Sequence, residues 1–562
     1  MSLTRREFVA ILQGLPGLST WRPGPHTGDS AALPMRADQV RRPNLILILA
    51  DDLGFSDIGC YGSEIETPNL DRLAMQGLRF TQFYNCGRCC PSRASVLTGL
   101  YPHQTGIGYM NGNQAMPGYT GDLNDRCLTI AEALGVAGYQ TWISGKWHVT
   151  PVNSSRHNWP LQRGFDRFYG TIHGAGSYYD PVTLARDNDY TQLEGSDFYY
   201  TDAITENACR FLEEGKSGAP FFLYLSYTAP HWPLHARPED IARCRDRYLA
   251  GWDDLRTRRY QRQIEMGLLE PGWPLSQREP GVPAWQEVKD REWQAMRMAV
   301  YGAQVESMDR GIGRIISCLQ KSGRLNDTLI LFASDNGGCA EEMNPRLRGI
   351  HVPEQTPQGC SVRFGNDPSI IPGPEDTYAS YGVPWANLSN TPFRLFKQYV
   401  HEGGIASPLI AYWPSGITSR GGFCHQAAHL IDILPTCLAL ARARYPTEFR
   451  GRLVLPMEGR SLVPALQGKA PEPRILCWEH RGNRAVLKDH RKLVSRAGTR
   501  GPEKWELYDL RADRTELRDQ AGARPLEVAR LEQLYKRWAR RCGVMPWDTV
   551  NDRPIGTHRL TD

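Results

Sequence analysis

The chain has 562 residues, of which 41% are hydrophobic and 23% charged, a composition typical of a globular protein with about two to four domain-sized cores. It excludes a disordered chain, a collagen and a coiled coil. The 66 Lys and Arg residues outnumber the 61 Asp and Glu residues by only five, so charge indicates neither nucleic acid nor an anionic membrane as the general partner. No apolar run approaches the roughly 20 residues of a membrane-spanning helix. The 14 cysteines are too few and too scattered for a disulfide framework.

Residues 1–42 differ in composition from the rest of the chain. They contain the run Thr-Arg-Arg-Glu-Phe at 4–8, then a short apolar stretch, then a segment rich in Pro and Gly without periodicity. This extension is similar to a twin-arginine export signal, which predicts a periplasmic or secreted protein. A basic extension on a cytoplasmic protein is the alternative.

The first predicted element is a strand over 45–50, an apolar run without alternation, which is typical of a strand buried on both faces of a parallel sheet. A helix follows, with Thr67 as its cap, Pro68 in its first turn and Gly77 at its end. The alternation then recurs. Helices are expected over 128–136, 204–212 and 293–319, and strands over 139–143, 221–225 and 328–333. The fold class predicted is α/β, with a large, mostly parallel sheet flanked by helices.

The chain is predicted to form a large α/β domain over 43–444 and a smaller C-terminal α+β domain over 445–545, followed by a tail over 546–562. Two stretches of the large domain stand out in composition: 232–293 is rich in Trp, Pro and Arg, and 337–392 is rich in Gly, Pro and Asn. We expect them to be insertions over one edge of the sheet, where ligand-binding loops collect.

The C-terminal domain is expected to contain a short antiparallel sheet and one amphipathic helix. The strands are predicted over 475–478, 484–487 and 492–494. The apolar face of the helix is expected to be formed by residues spaced i, i+3, i+4 and i+7, namely Leu531, Leu534, Tyr535 and Trp538.

Acidic residues stand directly after two of the predicted strands. Asp51 and Asp52 follow the first strand, and Asp335 and Asn336 follow the strand over 328–333. Open α/β sheets bind ligands at the carboxyl ends of their strands. Converging carboxylates repel one another unless a cation lies among them, and an all-oxygen set suits Ca²⁺, or less well Mg²⁺, rather than Zn²⁺. Either pair alone would be interpreted as a solvated loop, but both together predict a metal site.

A second chemical feature is the segment Cys-Cys-Pro-Ser-Arg at 89–93, which is typical of a loop that enters a helix, here one ending before Gly99. A thiol at a helix start, four residues from Arg93, is expected to be anionic and reactive. Cys86 and Cys89 also form a Cys-x-x-Cys pair, so a redox pair is an alternative. The position between strand and helix and the lack of a second Cys pair with metal-ligand spacing argue against redox or zinc function. Cys86 or Cys90 could still form a disulfide with Cys89.

The Cys-x-Pro-Ser-Arg run, followed by three residues and Leu-Thr-Gly, resembles the signature of the type I sulfatases in the alkaline phosphatase superfamily. The resemblance implies an alkaline-phosphatase-like fold. It also implies that a formylglycine-generating enzyme oxidises Cys89 to formylglycine, whose hydrate is the nucleophile. It further implies a calcium ion held by Asp51, Asp52, Asp335, Asn336 and the modified Cys89.

Three further segments match the family in its order along the chain. Lys146 and His148 lie in a Gly-Lys-Trp-His run, His231 lies in Pro-His-Trp-Pro, and Lys397 stands five residues before Glu-Gly-Gly. A single Lys or His near a strand end is more often structural than catalytic, but four around this signature are not independent accidents. The remaining candidates His103, His235 and His401 are interpreted as structural.

The resemblance assigns a role to each of these groups. Calcium, Lys146 and Lys397 would stabilise charge on the transferring sulfuryl group, and Arg93 would steady the hydrate. Asp335 is the expected proton acceptor for the attack, and His231, helped by Lys397, would protonate the leaving oxygen. His148 would take the proton of the second hydroxyl as sulfate leaves.

The function predicted is hydrolysis of a sulfate monoester, either an aryl sulfate or a carbohydrate sulfate. The partners are therefore a small-molecule or glycan sulfate ester and, during maturation, the formylglycine-generating enzyme. One alternative is a phosphonate monoester or phosphodiester hydrolase of the same superfamily. Another is a glycan-binding protein without activity, which would require broken motifs, and none is broken.

Overall fold

The structure, a computed structural model, describes residues 42–152, 155–195, 197–344, 349–470, 472–498, 501–502 and 504–551. Residues 1–41, which carry the predicted export signal, and residues 552–562 of the predicted tail lie outside the described residues. The described residues from Arg42 onward belong to one compact unit.

The strands are numbered in chain order. Those before residue 340 are β1 (Asn44–Ala50), β2 (Leu78–Tyr84), β3 (Gln140–Gly145), β4 (Arg167–Thr171), β5 (Leu184–Arg186), β6 (Asp189–Tyr190), β7 (Phe221–Ser226) and β8 (Thr328–Ser334). The next are β9 (Arg363–Phe364), β10 (Thr377–Tyr378), β11 (Ala406–Tyr412), β12 (Gly422–Cys424), β13 (Ala428–His429), β14 (Glu448–Phe449) and β15 (Arg452–Leu453). The last are β16 (Ile475–His480), β17 (Asn483–Lys488), β18 (Arg491–Ser495), β19 (Ala497–Gly498), β20 (Gly501–Pro502) and β21 (Glu506–Asp509).

The helices lie between these strands or follow them. They are α1 (Pro68–Gln76), α2 (Cys89–Thr98), α3 (Pro102–Thr105), α4 (Ile130–Val136), α5 (Tyr200–Glu214), α6 (Pro238–Cys244), α7 (Gly251–Glu265), α8 (Arg291–Lys321), α9 (Gly382–Ser389), α10 (Glu402–Ile405), α11 (Ile433–Ala441), α12 (Val463–Leu466), α13 (Pro525–Cys542) and α14 (Trp547–Asn551). None of the described helices has both the length and the apolar composition needed to cross a membrane.

The large sheet has the strand order β12-β2-β11-β8-β1-β7-β3-β4-β5-β6, and β13 also pairs with β2. Its centre, from β8 through β1, β7 and β3 to β4, is parallel. In contrast, β11 runs antiparallel to both β8 and β2, and β5 and β6 continue the other edge in antiparallel fashion. The predicted α/β class is confirmed, and the sheet is mixed at its edges.

Side chains of β1 alternate between two hydrophobic cores, one on each face of the large sheet. Helices α1, α5 and α8 contribute to the first core, and α2, α4 and α11 contribute to the second. All seven residues of β1 are buried, because a strand covered by helices on both faces has no solvent-exposed side. The continuous apolar run of the sequence therefore reflects burial on both faces, as expected.

The start of α1 differs from the sequence-based expectation, and the two stretches predicted as insertions contain regular elements. Thr67 stands before α1, but its hydroxyl makes no capping bond. Instead it accepts a hydrogen bond from the Gly59 amide at 2.8 Å and donates to Asp71 at 3.1 Å, so it fixes the loop ahead of the helix. The stretch 232–293 is not only loop, since it contains α6 and α7. The stretch 337–392 contains β9, β10 and α9.

The C-terminal strands β16, β17, β18 and β21 form a separate antiparallel sheet. Helix α13 covers it with Leu531, Tyr535 and Trp538, which are buried, and with Leu534, which is partly buried against the same core. These are the four residues predicted for its apolar face. The apolar residues of this sheet belong to the same core as those of α8 and β1. The small sheet is thus packed directly onto the large α/β body.

Candidate active site

Acidic side chains from β1 and β8 meet at the carboxyl edge of the large sheet. The two strands are parallel neighbours with Ala50 opposite Ser334, so the residues that follow them lie side by side. The amide of Asp52 donates to Oδ1 of Asp335 at 3.2 Å, and Nδ2 of Asn336 donates to Oδ1 of Asp52 at 2.6 Å. Asp51, Asp52, Asp335 and Asn336 are all buried.

Three buried cations face these carboxylates. Nζ of Lys146 lies 2.5 Å from Asp51, and Nζ of Lys397 lies 2.9 Å from Asp52. The Arg93 guanidinium donates to Asp335 at 2.8 Å and is 3.6 Å from Asp51. The sequence-predicted residues Lys146 and Lys397, which are 251 positions apart, therefore lie against adjacent acidic residues.

The electrostatic balance differs between the carboxylates. Burial raises the pKa of Asp51, but Lys146, His231 and Arg93 outweigh burial and hold that pKa below its usual value. Burial and the charge of Asp51 raise the pKa of Asp335 well above its usual value, against the opposing effect of Arg93. The negative charge at Asp335 is therefore not fully compensated by the protein's own cations.

The same cluster has the properties of a metal site. Oδ1 of Asp51 and Oδ1 of Asn336 are buried and, among the described residues, have no hydrogen-bond partner. One ligand atom from each of Asp51, Asp52 and His231 lies within 4.8 Å of the others. Buried oxygens without donors are costly unless a cation binds them, so the oxygens of Asp51, Asp52 and Asn336 fit a metal ion.

Cys89 is the first residue of α2 and is buried next to this cluster. Its sulfur, the sulfur of Cys90 and a ring nitrogen of His148 lie within 4.8 Å of one another. A hydrogen bond with Cys90 lowers the pKa of Cys89 well below its usual value, burial opposes this, and Lys146 and His148 add to the lowering. The thiol is therefore in an environment that favours the anion.

Cys86 does not pair with Cys89. Its sulfur donates to the Ser95 hydroxyl at 3.3 Å and lies 4.0 Å from Nε2 of His429. All 14 cysteines are among the described residues, and each is a free thiol. The geometry therefore gives no support to a Cys86–Cys89 redox pair.

His148 is held in an unusual backbone conformation, with φ of 56°. The absence of a side chain at Gly174 leaves room for its ring, because a Cβ atom there would lie 2.0 Å from Cε1. Burial and the positive charge of Lys146 lower the pKa of His148 to about 3. The imidazole is therefore neutral near pH 7, the form in which a ring nitrogen has a free lone pair.

His231 and Lys397 both lie next to Asp52 of the acidic cluster. Nε2 of His231 is 3.4 Å from Nζ of Lys397 and 3.4 Å from Asp52. Burial lowers the pKa of His231. Burial also disfavours the charge of Lys397, but Asp52 outweighs it and raises the pKa of Lys397 well above its usual value. Of the two, Lys397 is the group that keeps its proton.

The structure adds residues that sequence reasoning did not identify. The Ser226 hydroxyl accepts from Arg93 at 2.5 Å and donates to the Lys146 carbonyl at 2.8 Å, so it aligns both cations. Glu341 pairs with Arg88 at 2.6 Å and accepts from Nε1 of Trp232 at 3.0 Å. The sequence signal for these residues was limited to the position of Ser226 at the end of a strand and of Glu341 inside the stretch 337–392.

The three histidines interpreted as structural make contacts outside this cluster. His103 pairs with Glu479 at 2.8 Å. His235 contacts the Thr377 carbonyl at 2.5 Å, and His401 lies 3.5 Å from Glu506. The contacts of His103 and His401 join α3 and the start of α10 to the C-terminal sheet, and that of His235 joins the segment after β7 to β10.

Comparison with known proteins extends this description. A family model described as Sulfatase matches residues 43–443. An uncharacterized sulfatase of Schizosaccharomyces pombe is 34% identical over 521 residues, which are 86% of this chain and 91% of that protein. An arylsulfatase of Klebsiella aerogenes is 33% identical over 451 residues, which are 76% of this chain and 92% of that protein.

More distant relatives agree. The human N-acetylgalactosamine-6-sulfatase is 28% identical over 458 residues, which are 78% of this chain and 68% of that protein. The crystal structure of Ps i-CgsB has a TM-score of 0.63 at 23% identity, covers 91% of this chain and 100% of its own, and shows that the fold is shared. These similarities favour sulfate ester hydrolysis over the phosphonate and phosphodiester alternative. The chain belongs to the sulfatase family, the type I sulfatases of the alkaline phosphatase superfamily, and is a sulfuric ester hydrolase.

Proposed function

We propose that this chain hydrolyses an aryl or carbohydrate sulfate and that residue 89 is the nucleophile, after conversion of Cys89 to formylglycine. The observation that supports this most strongly is the position of Cys89 at the start of α2, beside His148 and within electrostatic reach of Asp51 and Asp335. In its hydrated form formylglycine supplies two hydroxyl groups, one to attack sulfur and one whose deprotonation expels sulfate.

The ion proposed for the acidic cluster is Ca²⁺, held by Asp51, Asp52, Asp335 and Asn336 together with the modified residue 89. A bound calcium ion supplies positive charge that polarises the sulfate oxygens. Mg²⁺ fits this cluster less well because it usually keeps several waters, whereas these side chains are buried and offer protein oxygens. The unpartnered oxygens of Asp51 and Asn336 support this assignment.

Three cations of the chain are proposed to bind and orient the sulfate. Lys146 and Lys397 are held at fixed positions by Asp51 and Asp52. Their positive charge is thus already in place where negative charge develops during transfer. Arg93 is fixed by Asp335 and Ser226, and its role is to steady the hydrate of residue 89.

The two proton acceptors are assigned to His148 and Asp335. His148 is neutral because its pKa is about 3, so it can take the proton whose loss releases sulfate. Asp335, whose pKa is raised by burial and Asp51, is the proposed acceptor for the attacking hydroxyl.

Protonation of the leaving oxygen is assigned to His231 and Lys397. Because His231 is neutral and Lys397 keeps its proton, Lys397 is the proposed source, and His231, 3.4 Å away, shares or relays that proton. This refines the sequence-based assignment of His231 as the acid.

Maturation requires a partner, a formylglycine-generating enzyme that acts on the Cys-x-Pro-Ser-Arg run. We also propose export to the periplasm or medium, with the Arg-Arg motif of the N-terminal extension as its signal. Fusion of residues 1–42 to a reporter and fractionation of the cells tests the location.

The central test is substitution of Cys89 together with mass spectrometry of the peptide that contains it. Converted protein loses sulfur and gains oxygen at this residue. We expect Cys89→Ser to bind a sulfate ester and to stall, with turnover reduced at least about 1000-fold, because a serine has no second hydroxyl for sulfate release.

Cys86→Ser is the matched control, since Cys86 lies outside the modification motif. We expect it to keep activity. If the Cys86–Cys89 pair had a redox function, both variants would lose activity. Multiple turnover by Cys89→Ser at the level of converted protein would contradict the proposal.

A further inference from the structure

A cavity of about 460 Å³ opens beside the catalytic candidates, and its wall includes Lys397. Its lining includes the polar and aromatic residues Glu341, Lys397, Gln398, Arg481, Asn483 and Trp547. A space of this size holds a sugar or a substituted aromatic ring. Lys397 and His231 are the proposed donors to the leaving oxygen, so the rest of the leaving group has to lie on this side of the site.

A chain of polar contacts leads from the acidic cluster to the far wall of this cavity. Nζ of Lys397 is 4.0 Å from Oε2 of Glu341. Gln398 donates from Nε2 to Oε1 of Glu341 at 3.1 Å, and Nη1 of Arg481 donates to Oε1 of Gln398 at 2.7 Å. The turn between β16 and β17 thus supplies a cation, Arg481, to a cavity whose wall also includes Lys397.

The charge around the cavity is positive. Lys397 and Arg481 line it, and Arg88 pairs with Glu341 at 2.6 Å. Lys397 is paired with Asp52 at 2.9 Å and Glu341 is paired with Arg88. Arg481 is therefore the lining cation that has no carboxylate partner among the ion pairs of the described residues. Burial raises the pKa of Glu341, but Arg88 and Lys397 outweigh burial and keep the pKa well below its usual value. An additional anion would therefore meet the uncompensated positive charge of Arg481.

Arg481 is placed to bind such an anion. Its guanidinium carbon lies 5.9 Å from the ring centre of Trp547 and 5.7 Å from that of Tyr109. Arginine that stacks on aromatic faces still presents N–H donors in its plane, and these match a carboxylate or sulfate. Trp547 itself offers a face on which a ring can stack.

The loop that joins the cavity to the reacting groups is held rigidly. Leu395 and Gln398 have positive φ angles of 64° and 82°. The Gln398 amide donates to the Gly87 carbonyl at 2.8 Å, and Nδ2 of Asn483 donates to the Gln398 carbonyl at 3.2 Å. Non-glycine residues keep such angles only where surrounding contacts enforce them, often at ligand sites.

We propose that this cavity is the leaving-group subsite and that it takes an alcohol bearing a second anionic group, with Arg481 as the residue that binds this group. The inference rests on the proposed function, because it places the leaving oxygen at His231 and Lys397. The substrate class is therefore an acidic sulfate ester, such as a sulfated sugar that also carries a carboxylate or a second sulfate.

The test compares 4-nitrophenyl sulfate with the same ester carrying a carboxylate or a sulfonate on a short ring substituent. The two anionic probes separate a carboxylate subsite from a sulfate-type subsite. We expect at least one anionic ester to have a kcat/KM about tenfold above that of the plain ester. Arg481→Gln should remove this preference.

Arg484→Gln is the matched control, because Arg484 lies on the same sheet but stacks on Trp505 at 4.0 Å, outside the cavity. It should keep the preference, and Arg481→Lys should keep part of it. Unfolding midpoints of the variants show whether they fold. Absence of a preference, or a preference that survives in Arg481→Gln, overturns the subsite.

A binding measurement separates the subsite from the proposed chemistry. Calorimetry with the corresponding carboxylate-bearing and sulfonate-bearing nitrophenols needs no hydrolysis. We expect the Kd of the preferred phenol to rise about tenfold in Arg481→Gln and to be unaltered in Arg484→Gln. If the protein hydrolyses no sulfate ester but shows this binding pattern, only the proposed function is refuted. If all variants bind the phenols equally, the subsite is refuted.

Discussion

At the scale of single residues, three residues at or next to the site have an unusual backbone conformation. Asp52, His148 and Gln398 all have positive φ angles, of 65°, 56° and 82°. Each is adjacent to or part of the acidic cluster and its cations. Such conformations cost free energy and persist only where the surrounding contacts enforce them. Here they turn Asp52 toward Lys397 and leave His148 beside Cys89.

Gly174 allows a first prediction at this scale. It has no positive φ, so alanine suits its backbone, but a Cβ atom would lie 2.0 Å from the His148 ring. We expect Gly174→Ala to displace this ring and to lower kcat/KM about 100-fold, the order of effect that a small misplacement of a catalytic group produces. Steady-state assays with 4-nitrophenyl sulfate measure it.

Gly176→Ala is the matched control in the same loop, because its added Cβ atom would meet Val182 at an ordinary 3.6 Å. We expect it to keep its activity, and both variants should unfold at similar temperatures. Full activity of Gly174→Ala would show that the position of His148 is not critical.

At the scale of elements, the sequence predicted the strand ends well and the contacts across the site poorly. The runs over 45–50 and 328–333 became β1 and β8, and their pairing brings Asp51, Asp52, Asp335 and Asn336 together because parallel neighbours end at one edge. In contrast, Arg88 and Glu341 are 253 residues apart. No periodicity indicates such a pair, since it depends on how an irregular segment packs.

The Glu-Gly-Gly run at 402–404 shows how a motif can encode backbone packing. A Cβ atom at Gly403 would lie 2.3 Å from the Arg394 carbonyl, and one at Gly404 would lie 2.0 Å from the Tyr399 carbonyl. Only glycine permits this close approach. The two glycines therefore hold the loop that carries Lys397, a role that the sequence pattern alone did not reveal.

Glu402 in α10 accepts a hydrogen bond from Tyr84 of β2 at 3.2 Å and also contacts the C-terminal sheet. It therefore links the two sheets, which leads to a prediction for stability. Lys492 of β18 lies 2.9 Å from Glu402 and 2.8 Å from Glu516, and all three side chains are buried. Lys492→Met removes the cation and leaves two buried carboxylates with less compensation. We expect a loss of about 3–5 kcal/mol in the free energy of unfolding, measured by denaturant titration. Lys488→Met, at a partly exposed position on β17, should change it by less than about 1 kcal/mol.

A result in which both variants unfold at the same denaturant concentration would mean that the buried network adds no stability beyond apolar packing. This outcome is informative because well-packed methionine can replace some buried ion pairs without loss. In Lys492→Met, Glu402 would still have its ion pair with Arg514 at 2.9 Å. Glu516 would lose its ion pair with Lys492, and the described part of the chain shows no second one for it.

At the scale of the whole molecule, the site depends on segments from most of the chain. The acidic residues come from β1 and β8, the nucleophile candidate from α2, Lys146 from the end of β3, and Lys397 from the loop before α10. The C-terminal sheet contributes Arg481 to the neighbouring cavity. Assembly of one site from such distant segments couples ion binding at the site to folding of the α/β body.

This coupling predicts that calcium stabilises the folded protein. Asp51, Asp52 and Asp335 contact Lys146, Lys397 and Arg93, and Arg93 is shared between Asp51 and Asp335. Oxygens of Asp51 and Asn336 nevertheless have no hydrogen-bond donor among the described residues. Calcium at 100 times its Kd should stabilise the fold by about 2.7 kcal/mol relative to protein in chelator. Thermal unfolding in EDTA, Ca²⁺ and Mg²⁺ measures this, and Ca²⁺ should raise the midpoint more than Mg²⁺. The rise should disappear in Asp51→Asn, and an equal rise there would place the ion elsewhere.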